Sequence, residues 1–222
     1  MNKHPTLQRE YSPDRTRRLY RGVTRFYDSW GKLTEDKASN RLLELAAVTA
    51  GSEILEVAVG TGRLFAKLAA LNPGGHLEGV DLSPAMLGKA RQRMQDSDSQ
   101  ASYRLQEADA YRLPFADARF DYLFNAYMLD LLPQEDFPNL LGEFRRVLKP
   151  GGKLAIASFS HGTTRLNRLW YWLARGAPAL LTDCRPIDAG PALTAAGFEI
   201  LHAEEISQNT FPSAVFVAVK TD

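Results

Sequence analysis

The 222-residue chain has one cysteine, Cys184, and lacks any long apolar run. A lone cysteine cannot form a disulfide within the chain, so a disulfide-stapled scaffold is excluded and a reducing compartment is favoured. The most apolar window, residues 169–181, is interrupted by Arg175 and is too short to cross a bilayer. The first residues also lack the apolar stretch of a secretory signal. We therefore expect a cytosolic protein.

An excess of charge of either sign is also missing. Lys and Arg number 27 against 26 Asp and Glu, which leaves a net charge of +1. Without a basic excess, no overall field attracts nucleic acid, and we expect no nucleic-acid partner. We expect no metal site either. The hydrophobic fraction of 45% and the charged fraction of 24% are ordinary for a globular protein. The length suits one α/β domain with a substantial core.

The most informative stretch is residues 52–64, SEILEVAVGTGRL. Its apolar residues predict a buried parallel strand, which breaks at Gly60-Thr61-Gly62 and continues as a helix from Arg63. Glycine has no Cβ, so the backbone can turn tightly and a ligand can lie against it. The free N–H groups at the start of the following helix favour an anionic group. This order of elements predicts the floor of a cofactor site.

The glycine turn lacks the complete signature of two common nucleotide loops. A dinucleotide fingerprint ends in a third small residue, but the two registers of this loop end in Arg63 and Phe65. A P-loop requires Gly-Lys-Ser/Thr after the turn, and that triplet is missing here. An NAD-dependent oxidoreductase is therefore the disfavoured alternative.

Asp81 closes the second predicted strand, His76–Asp81, and follows Gly60 by 21 positions. At that separation, an acid on the second strand reaches the ribose hydroxyls of a nucleotide held by the first strand. The alternative is that Asp81 caps the next helix, Pro84–Gln95, although Ser83 can fill that role.

Beyond these motifs, strands alternate with helices, which predicts a doubly wound parallel sheet with ligands beyond the carboxyl ends of its strands. The further strands are Ser102–Glu107, 121–125 and 153–158, followed by a terminal antiparallel pair, 198–206 and 214–220. The further helices are 35–49 with a stop at Gly51, 133–148, and 188–196 with a stop at Gly197.

Two segments combine cations with aromatic residues. Apolar side chains at helical spacing predict a helix over residues 14–30, which either caps the core or forms a basic amphipathic lid on an anionic membrane. The long connection 161–186 contains TRLNRLWYWLAR, with Arg165, Arg168 and Arg175 beside three aromatic residues. Such a mixture suits a membrane interface, and it equally suits an aromatic-walled pocket for a soluble ring compound.

Taken in order, ILEVAVGTGRL, GVDLSPAMLGKAR, the pair ADAYRLPF and FDYLF, and RVLKPGGKLAI resemble the class I S-adenosylmethionine-dependent methyltransferases. The resemblance covers residues 27–220 and is strongest to the ubiquinone/menaquinone-biosynthesis-like branch (methyltransferase type 11). It implies a Rossmann-like, mostly parallel seven-stranded sheet of order 3-2-1-4-5-7-6, with strand 7 antiparallel, and S-adenosyl-L-methionine as cofactor. One departure is Ala58, where the family usually has glycine.

The resemblance also implies a cofactor site assembled from several segments. The residues along the methionine half are Glu56, Ala58, Gly60 and Gly62, with Tyr27 in the lid. Asp81 binds the ribose, Leu82 and Met86 flank the adenine, Asp109 and Ala110 face its amino edge, and the backbone at Asn125 and Ala126 lies near the sulfonium.

The expected function is methyl transfer by in-line displacement to a small-molecule or lipid-like acceptor of quinone or phospholipid type. Positioning and desolvation can provide much of the acceleration, and a base is required only if the acceptor arrives protonated. Candidate bases are Asp130, Tyr127 and His161, although Asp130 and His161 could instead be structural. The acceptor atom, carbon, nitrogen or oxygen, stays open. The alternative is a cofactor-binding regulatory or assembly protein without transferase activity.

The chain is predicted to form one domain, residues 1–222. Within it we expect an N-terminal helical lid at 1–50, a cofactor-binding core at 51–160, a substrate-side insertion at 161–186, and a C-terminal helix with its strand pair at 187–222. Peripheral contact with the inner membrane face is the open alternative to a purely cytosolic location.

Overall fold

The computed structural model describes residues 33–164, 166–176 and 184–221, apart from the side chain of Arg168. The helix predicted at 14–30, including Tyr27, lies outside the described residues, and so does Arg165. Among the described residues, no helix is long and apolar enough to cross a bilayer.

A seven-stranded sheet forms the centre of the fold, in the order β3-β2-β1-β4-β5-β7-β6. Strands β1 to β5 are mutually parallel, whereas β7 runs antiparallel to both of its neighbours, β5 and β6. The predicted fold and strand order are therefore confirmed. The strands are β1 Glu53–Val57, β2 His76–Asp81, β3 Ser102–Glu107, β4 Phe120–Ala126, β5 Leu148–Phe159, β6 Phe198–Gln208 and β7 Phe211–Lys220.

Helices cover both faces of the sheet and bury two apolar cores. The helices are α1 Asp36–Ala46, α2 Arg63–Leu71, α3 Pro84–Gln95, α4 Phe137–Val147, α5 Asn167–Gly176 and α6 Gly190–Ala195, with 3-10 turns at Leu129–Leu131 and Gln134–Asp136. One core contains side chains of α1, α2, α3 and α5, and the other contains side chains of α4 and α6. Because both faces are covered, the central strands are apolar on both sides, as the run in β1 predicted.

Local chemistry explains where α3 begins. The Ser83 hydroxyl accepts a hydrogen bond of 3.4 Å from the Met86 N–H, and Pro84 occupies the first turn, where its missing N–H costs nothing. The carboxylate of Asp81 is consequently free of the capping role and faces the end of the first strand instead.

Several predicted boundaries were wrong, and three of them have a clear local cause. Helix α1 ends at Ala46, before the predicted end at Thr49, because Ala47 adopts φ 48° and its N–H closes the helix on the Leu43 carbonyl. Strand β5 begins at Leu148, five residues before the predicted start. The register with β4 shifts in this region, and Gly151, with φ +70°, lets the strand continue through the irregularity. Helix α4 begins at Phe137, after a 3-10 turn at Gln134–Asp136.

Candidate active site

Two cavities open at the carboxyl ends of the parallel strands, on either side of the glycine loop. The first has a volume of about 810 Å³ including its open mouth. Residues that line it are Val57, Ala58, Gly60, Val80, Asp81, Leu82, Ser83, Met86, Ala108, Asp109, Ala110, Tyr111, Ala126, Tyr127, Met128, Leu131 and Leu132. The structure thus brings together, in one apolar cavity, the residues that the resemblance placed at the ribose and the adenine.

The second cavity, of about 500 Å³ including its mouth, is much more polar. Residues that line it are Glu35, Asp36, Ser39, Glu56, Ala58, Val59, Gly60, Thr61, Arg63, Leu64, Lys67, Ala126 and Tyr127. Ala58, Gly60, Ala126 and Tyr127 line both cavities. We call these four residues the junction, because one extended ligand lying over the glycine loop would pass them.

The backbone of the glycine loop has several residues in the left-handed region. Ala58, Gly60 and Gly62 have φ values of +63°, +56° and +78°. A Cβ on Gly60 would meet nothing within 4 Å, so glycine leaves open space there. A Cβ on Gly62 would lie 2.9 Å from the Cα of Ala90, so glycine at 62 lets the start of α2 approach α3. Gly62 thus shapes the loop and lines neither cavity.

Asp81 holds the loop from the neighbouring strand. Its Oδ2 accepts a hydrogen bond of 2.8 Å from the Gly60 N–H, and its Oδ1 accepts one of 2.8 Å from the Ser83 N–H. Desolvation raises the pKa of Asp81, while the backbone N–H groups of Ser83, Gly60 and Leu82 oppose that rise. Each carboxylate oxygen keeps a further lone pair, so the group can still accept hydrogen bonds from a ligand.

Glu56 presents a buried carboxyl without a full set of partners. Its side chain is 2% exposed, and its Oε2 has no hydrogen-bond partner among the described residues. Burial raises the pKa of Glu56 well above its usual value, and the charge of Asp81 adds to the effect. A ligand cation in the second cavity would supply the missing partner, so this orphaned oxygen fits a cationic ligand.

Two cations stand opposite the acids of the second cavity. Asp36 forms ion pairs with Arg63 and with Lys67, the latter at 3.2 Å. Although burial disfavours its charge, the hydrogen bonds from Arg63 and Lys67 hold the pKa of Asp36 below its usual value. Both cations lie on the first turns of α2, where the helix dipole also favours an anion. This corner can bind a carboxylate.

Glu35, immediately before α1, is the remaining acid of the second cavity. Its pKa is raised to about 8, first by desolvation and then by the charges of Asp130 and Asp36, while the charge of Arg63 opposes the rise. Neither Glu35 nor the Arg63–Lys67 pair was identified from the sequence as a site residue. They can be identified only in the folded structure, because these charged residues come from separate parts of the chain and meet only there.

The three predicted bases occupy different surroundings. Tyr127 lines both cavities, and its backbone has φ +54°. Its hydroxyl forms a hydrogen bond of 2.8 Å with the Ser213 hydroxyl, and desolvation raises the pKa of Tyr127 well above its usual value. Asp130 and His161 line neither cavity. Asp130 is fully buried, and desolvation raises its pKa to about 7. The His161 ring packs at 6.1 Å from the ring of Tyr171.

Asn125 and Asp109 have structural contacts of their own. The Asn125 amide, fully buried, donates to the Val57 carbonyl at 2.9 Å and so ties β4 to β1 beneath the junction. The Asp109 carboxylate accepts a hydrogen bond of 3.0 Å from the Tyr111 N–H at the rim of the first cavity. Asn125 itself lines neither cavity, whereas the next residue, Ala126, lines both.

Comparison with known proteins decides the class of domain. Residues 54–152 match the family model described as a methyltransferase domain. Residues 54–152 therefore carry a methyltransferase domain, of the class I S-adenosylmethionine-dependent kind that the resemblance implied. S-adenosyl-L-methionine is the cofactor of this class, as the resemblance implied. The matched segment begins in β1, spans the glycine loop, Asp81 and Asp109, and ends inside β5.

Curated relatives agree with this class. The ubiquinone/menaquinone biosynthesis C-methyltransferase UbiE of Pseudomonas putida is 37% identical over 125 residues, which are 56% of this chain and 48% of that protein. The chain thus spans about half the length of the curated relatives it matches.

Among solved structures, the 1,6-didemethyltoxoflavin-N1-methyltransferase of Burkholderia thailandensis has a TM-score of 0.68 at 17% identity, over 98% of this chain and 94% of that one. The [4+2]-cyclase SpnF has a TM-score of 0.65 at 21% identity, over 84% of this chain and 81% of that one. At these identities, the structural likeness shows the fold alone.

Proposed function

We propose that the chain transfers the methyl group of S-adenosyl-L-methionine to a small organic acceptor. The observation that carries the proposal is the pair of cavities that meet at the junction above the glycine loop, one apolar and one charged. When bound, the cofactor supplies an electrophilic methyl group on a sulfonium. Its adenosine half suits the apolar cavity, and its methionine half suits the charged one.

In the first cavity, Asp81 is the proposed ribose ligand. Its two oxygens already orient the loop and Ser83, so the carboxylate is held rigidly before a ligand arrives. Leu82 and Met86 offer apolar faces to the adenine, and Asp109 with Ala110 stands at its amino edge. A hydrogen-bond acceptor that is already rigid, such as this carboxylate, loses little conformational entropy on binding, which favours affinity for the ribose.

In the second cavity, the charges complement the methionine half. Glu56 is the proposed ammonium ligand, and Arg63 with Lys67 is the proposed carboxylate ligand. The cavity carries three acids and two cations, whereas adenosylmethionine carries two cationic groups and one anionic group. The net formal charge of these side chains is therefore −1 and that of the cofactor is +1, so the two are complementary in sign, which favours one orientation of the cofactor.

The protein's contribution to the reaction is positioning and exclusion of water. Asn125 ties β4 to β1, and Tyr127 forms part of the junction floor with its hydroxyl bonded to Ser213. We therefore propose that Tyr127 shapes the floor and does not remove a proton. Asp130 and His161 line neither cavity and are proposed to be structural, His161 through the contact of its ring with Tyr171 on α5.

For the acceptor, we propose a bulky apolar compound of small-molecule or lipid-like type. The UbiE relatives are named for C-methylation in quinone biosynthesis, which favours a quinone-type ring. Exposed apolar side chains on and beside α5 support contact with an apolar surface. They are Leu166, Leu169 and Trp172, at 65%, 69% and 53% exposure. We accordingly propose a cytosolic protein that touches the membrane surface to reach its acceptor.

The second candidate is a cofactor-binding protein that does not transfer methyl groups. The similar fold of a protein named as a [4+2]-cyclase supports keeping it, because this fold is compatible with other activities.

Two measurements decide between the candidates. Titration calorimetry with adenosylmethionine, adenosylhomocysteine and NAD should show binding of the first two only. Incubation with methyl-labelled adenosylmethionine and a fractionated extract should then label one small apolar compound. Binding without label in any fraction favours the non-transferase candidate, and binding of NAD alone contradicts both.

A further inference from the structure

The proposed function assigns no role to Glu35, one of the acids of the second cavity. It lies at the start of α1, and its carboxyl shares the cavity with groups from three other parts of the fold. The titratable and charged groups around it are Asp36 on α1, Glu56 at β1, Arg63 and Lys67 on α2, Tyr127 after β4, and Asp130 in the following 3-10 turn.

The cations of the cavity form ion pairs with another of its acids, Asp36. Arg63 and Lys67 both pair with Asp36, and Lys67 also donates to the Asn40 side chain at 2.7 Å. The carboxylate of Glu35 accepts no hydrogen bond within the part of the chain that the structure describes. A buried carboxylate in that situation is costly to ionise until a positive charge arrives.

Glu35 lies within electrostatic reach of the junction, because it lines the same cavity as Tyr127. Its charge acts on the Tyr127 hydroxyl and is in turn acted on by Asp130, and Tyr127 is a junction residue. Glu56, by contrast, interacts with Asp81 on the side of the first cavity. A ligand that extends through both cavities has its middle at the junction, and the middle of adenosylmethionine is its sulfonium.

We propose that Glu35 recognises the positive charge of the sulfonium and thereby sets the preference for adenosylmethionine over its neutral product, adenosylhomocysteine. The inference rests on the proposed function. The ammonium and the carboxylate are common to both compounds, so groups that bind them cannot discriminate. An acid near the sulfonium can favour adenosylmethionine, and release of the product follows when that positive charge is gone.

Proton exchange at Glu35 accompanies this recognition. With its pKa at about 8, Glu35 is mostly protonated at pH 7 in the free protein. A bound sulfonium favours the charged carboxylate, so Glu35 releases its proton as adenosylmethionine binds. The uncharged product offers no such stabilisation, and Glu35 stays protonated. Affinity for adenosylmethionine should therefore rise from pH 6.5 to pH 8.5, by about tenfold per unit below the pKa, and then level off.

The test is titration calorimetry of the full chain with both compounds at pH 6.5 and 8.5. The variants are Glu35→Gln and, as a control on α1, Glu44→Gln, whose exposed carboxylate pairs with Arg41 at 2.9 Å. At pH 8.5, Glu35→Gln should weaken adenosylmethionine binding about 10- to 50-fold, since a charged partner is lost. Its affinity for adenosylhomocysteine should stay within about threefold, and Glu44→Gln should change neither value.

A second readout uses the wild type and does not depend on any variant folding. Titrations at pH 7 in two buffers of different ionisation enthalpy should show release of up to about one proton with adenosylmethionine and none with the product. Equal weakening of both compounds in Glu35→Gln would overturn the inference, because it would place Glu35 at the shared ammonium. An unchanged ratio, or no proton release, would overturn it too. If the wild type bound neither compound, the proposed function itself would fail.

Discussion

The Oδ2 atom of Asp81 accepts a hydrogen bond of 2.8 Å from the backbone N–H of Gly60. One carboxylate at the end of β2 therefore holds the turn that follows β1, and the same carboxylate is the proposed ribose ligand. The separation of 21 positions between the two residues, read from the sequence, corresponds to a direct contact between adjacent strands. Loop geometry and ligand recognition depend on the same side chain.

Asp81→Ala should weaken binding of adenosylmethionine and adenosylhomocysteine about 10- to 150-fold. The reason is loss of charge-assisted hydrogen bonds worth about 1.5–3 kcal/mol to the ribose, together with loss of the bond that holds Gly60. Calorimetry measures both affinities, and Asp98→Ala, in the exposed loop after α3, is the control. Wild-type affinity in Asp81→Ala would remove Asp81 from the ribose site.

Ala58→Gly should stabilise the protein by up to about 1 kcal/mol. Alanine at φ +63° is strained by about 1–2 kcal/mol, and the greater freedom of glycine in the unfolded chain offsets part of the gain. Ala118→Gly is the matched variant, because Ala118 has φ +51° in an exposed turn away from the cavities. Thermal unfolding should show a similar gain for both.

Cofactor affinity separates these two glycine variants. Ala58→Gly should bind adenosylmethionine equally or more tightly, since a methyl group is removed from the junction, while Ala118→Gly should leave affinity unchanged. A large loss of affinity in Ala58→Gly would mean that the loop holds the cofactor differently from the proposal.

Asp130→Asn should stabilise the protein at neutral pH and have little effect in acid. Desolvation raises the pKa of Asp130 from its usual 3.8 to about 7. Between these values the folded state keeps a proton that the unfolded state loses, so the Asp130 contribution to stability falls as pH rises. Removing the titration should be worth up to about 4 kcal/mol at pH 7, or up to about 8–16 °C in Tm.

Glu143→Gln should show the opposite trend and serves as the comparison. Hydrogen bonds from Arg146 lower the pKa of Glu143, so its contribution is present at neutral pH and lost as pH falls through the lowered value. Thermal scans from pH 3 to pH 8 follow both variants. Parallel curves for Asp130→Asn and wild type would contradict the buried, proton-holding state of Asp130.

The protein should sediment with anionic vesicles at low salt, and added salt should weaken the association. Replacing Leu169 and Trp172 together by serine should abolish sedimentation, since apolar side chains on α5 would insert at the interface. Leu201→Ser is the matched control, because Leu201 is 45% exposed on β6. Equal loss in both variants, or no sedimentation of the wild type, would contradict membrane contact through α5.

Local chemistry made much of the fold predictable. Strands β2 and β3 and helix α3 have the predicted bounds because Asp81, Ser83 and Pro84 mark the boundaries by their own chemistry. The start of β5 was missed because Gly151 was interpreted as a break, whereas the fold continues the strand through a positive φ. In the site, the motifs that carried the family resemblance predicted the residues that line the apolar cavity. The charges of Glu35, Arg63 and Lys67 belong to no such motif, and only packing of α1 against the glycine loop reveals them.

The hydrogen bond between Tyr127 and Ser213 has a consequence for the order in which the site is completed. Tyr127 lies just after β4, but its hydroxyl partner and the nearby Phe211 ring, at 6.4 Å, belong to β7. On the ribosome, β7 emerges after every other strand of this sheet. The nascent chain can therefore form its glycine loop early, yet the junction floor is fixed only when β7 enters between β5 and β6, and cofactor capture is expected to follow that late step.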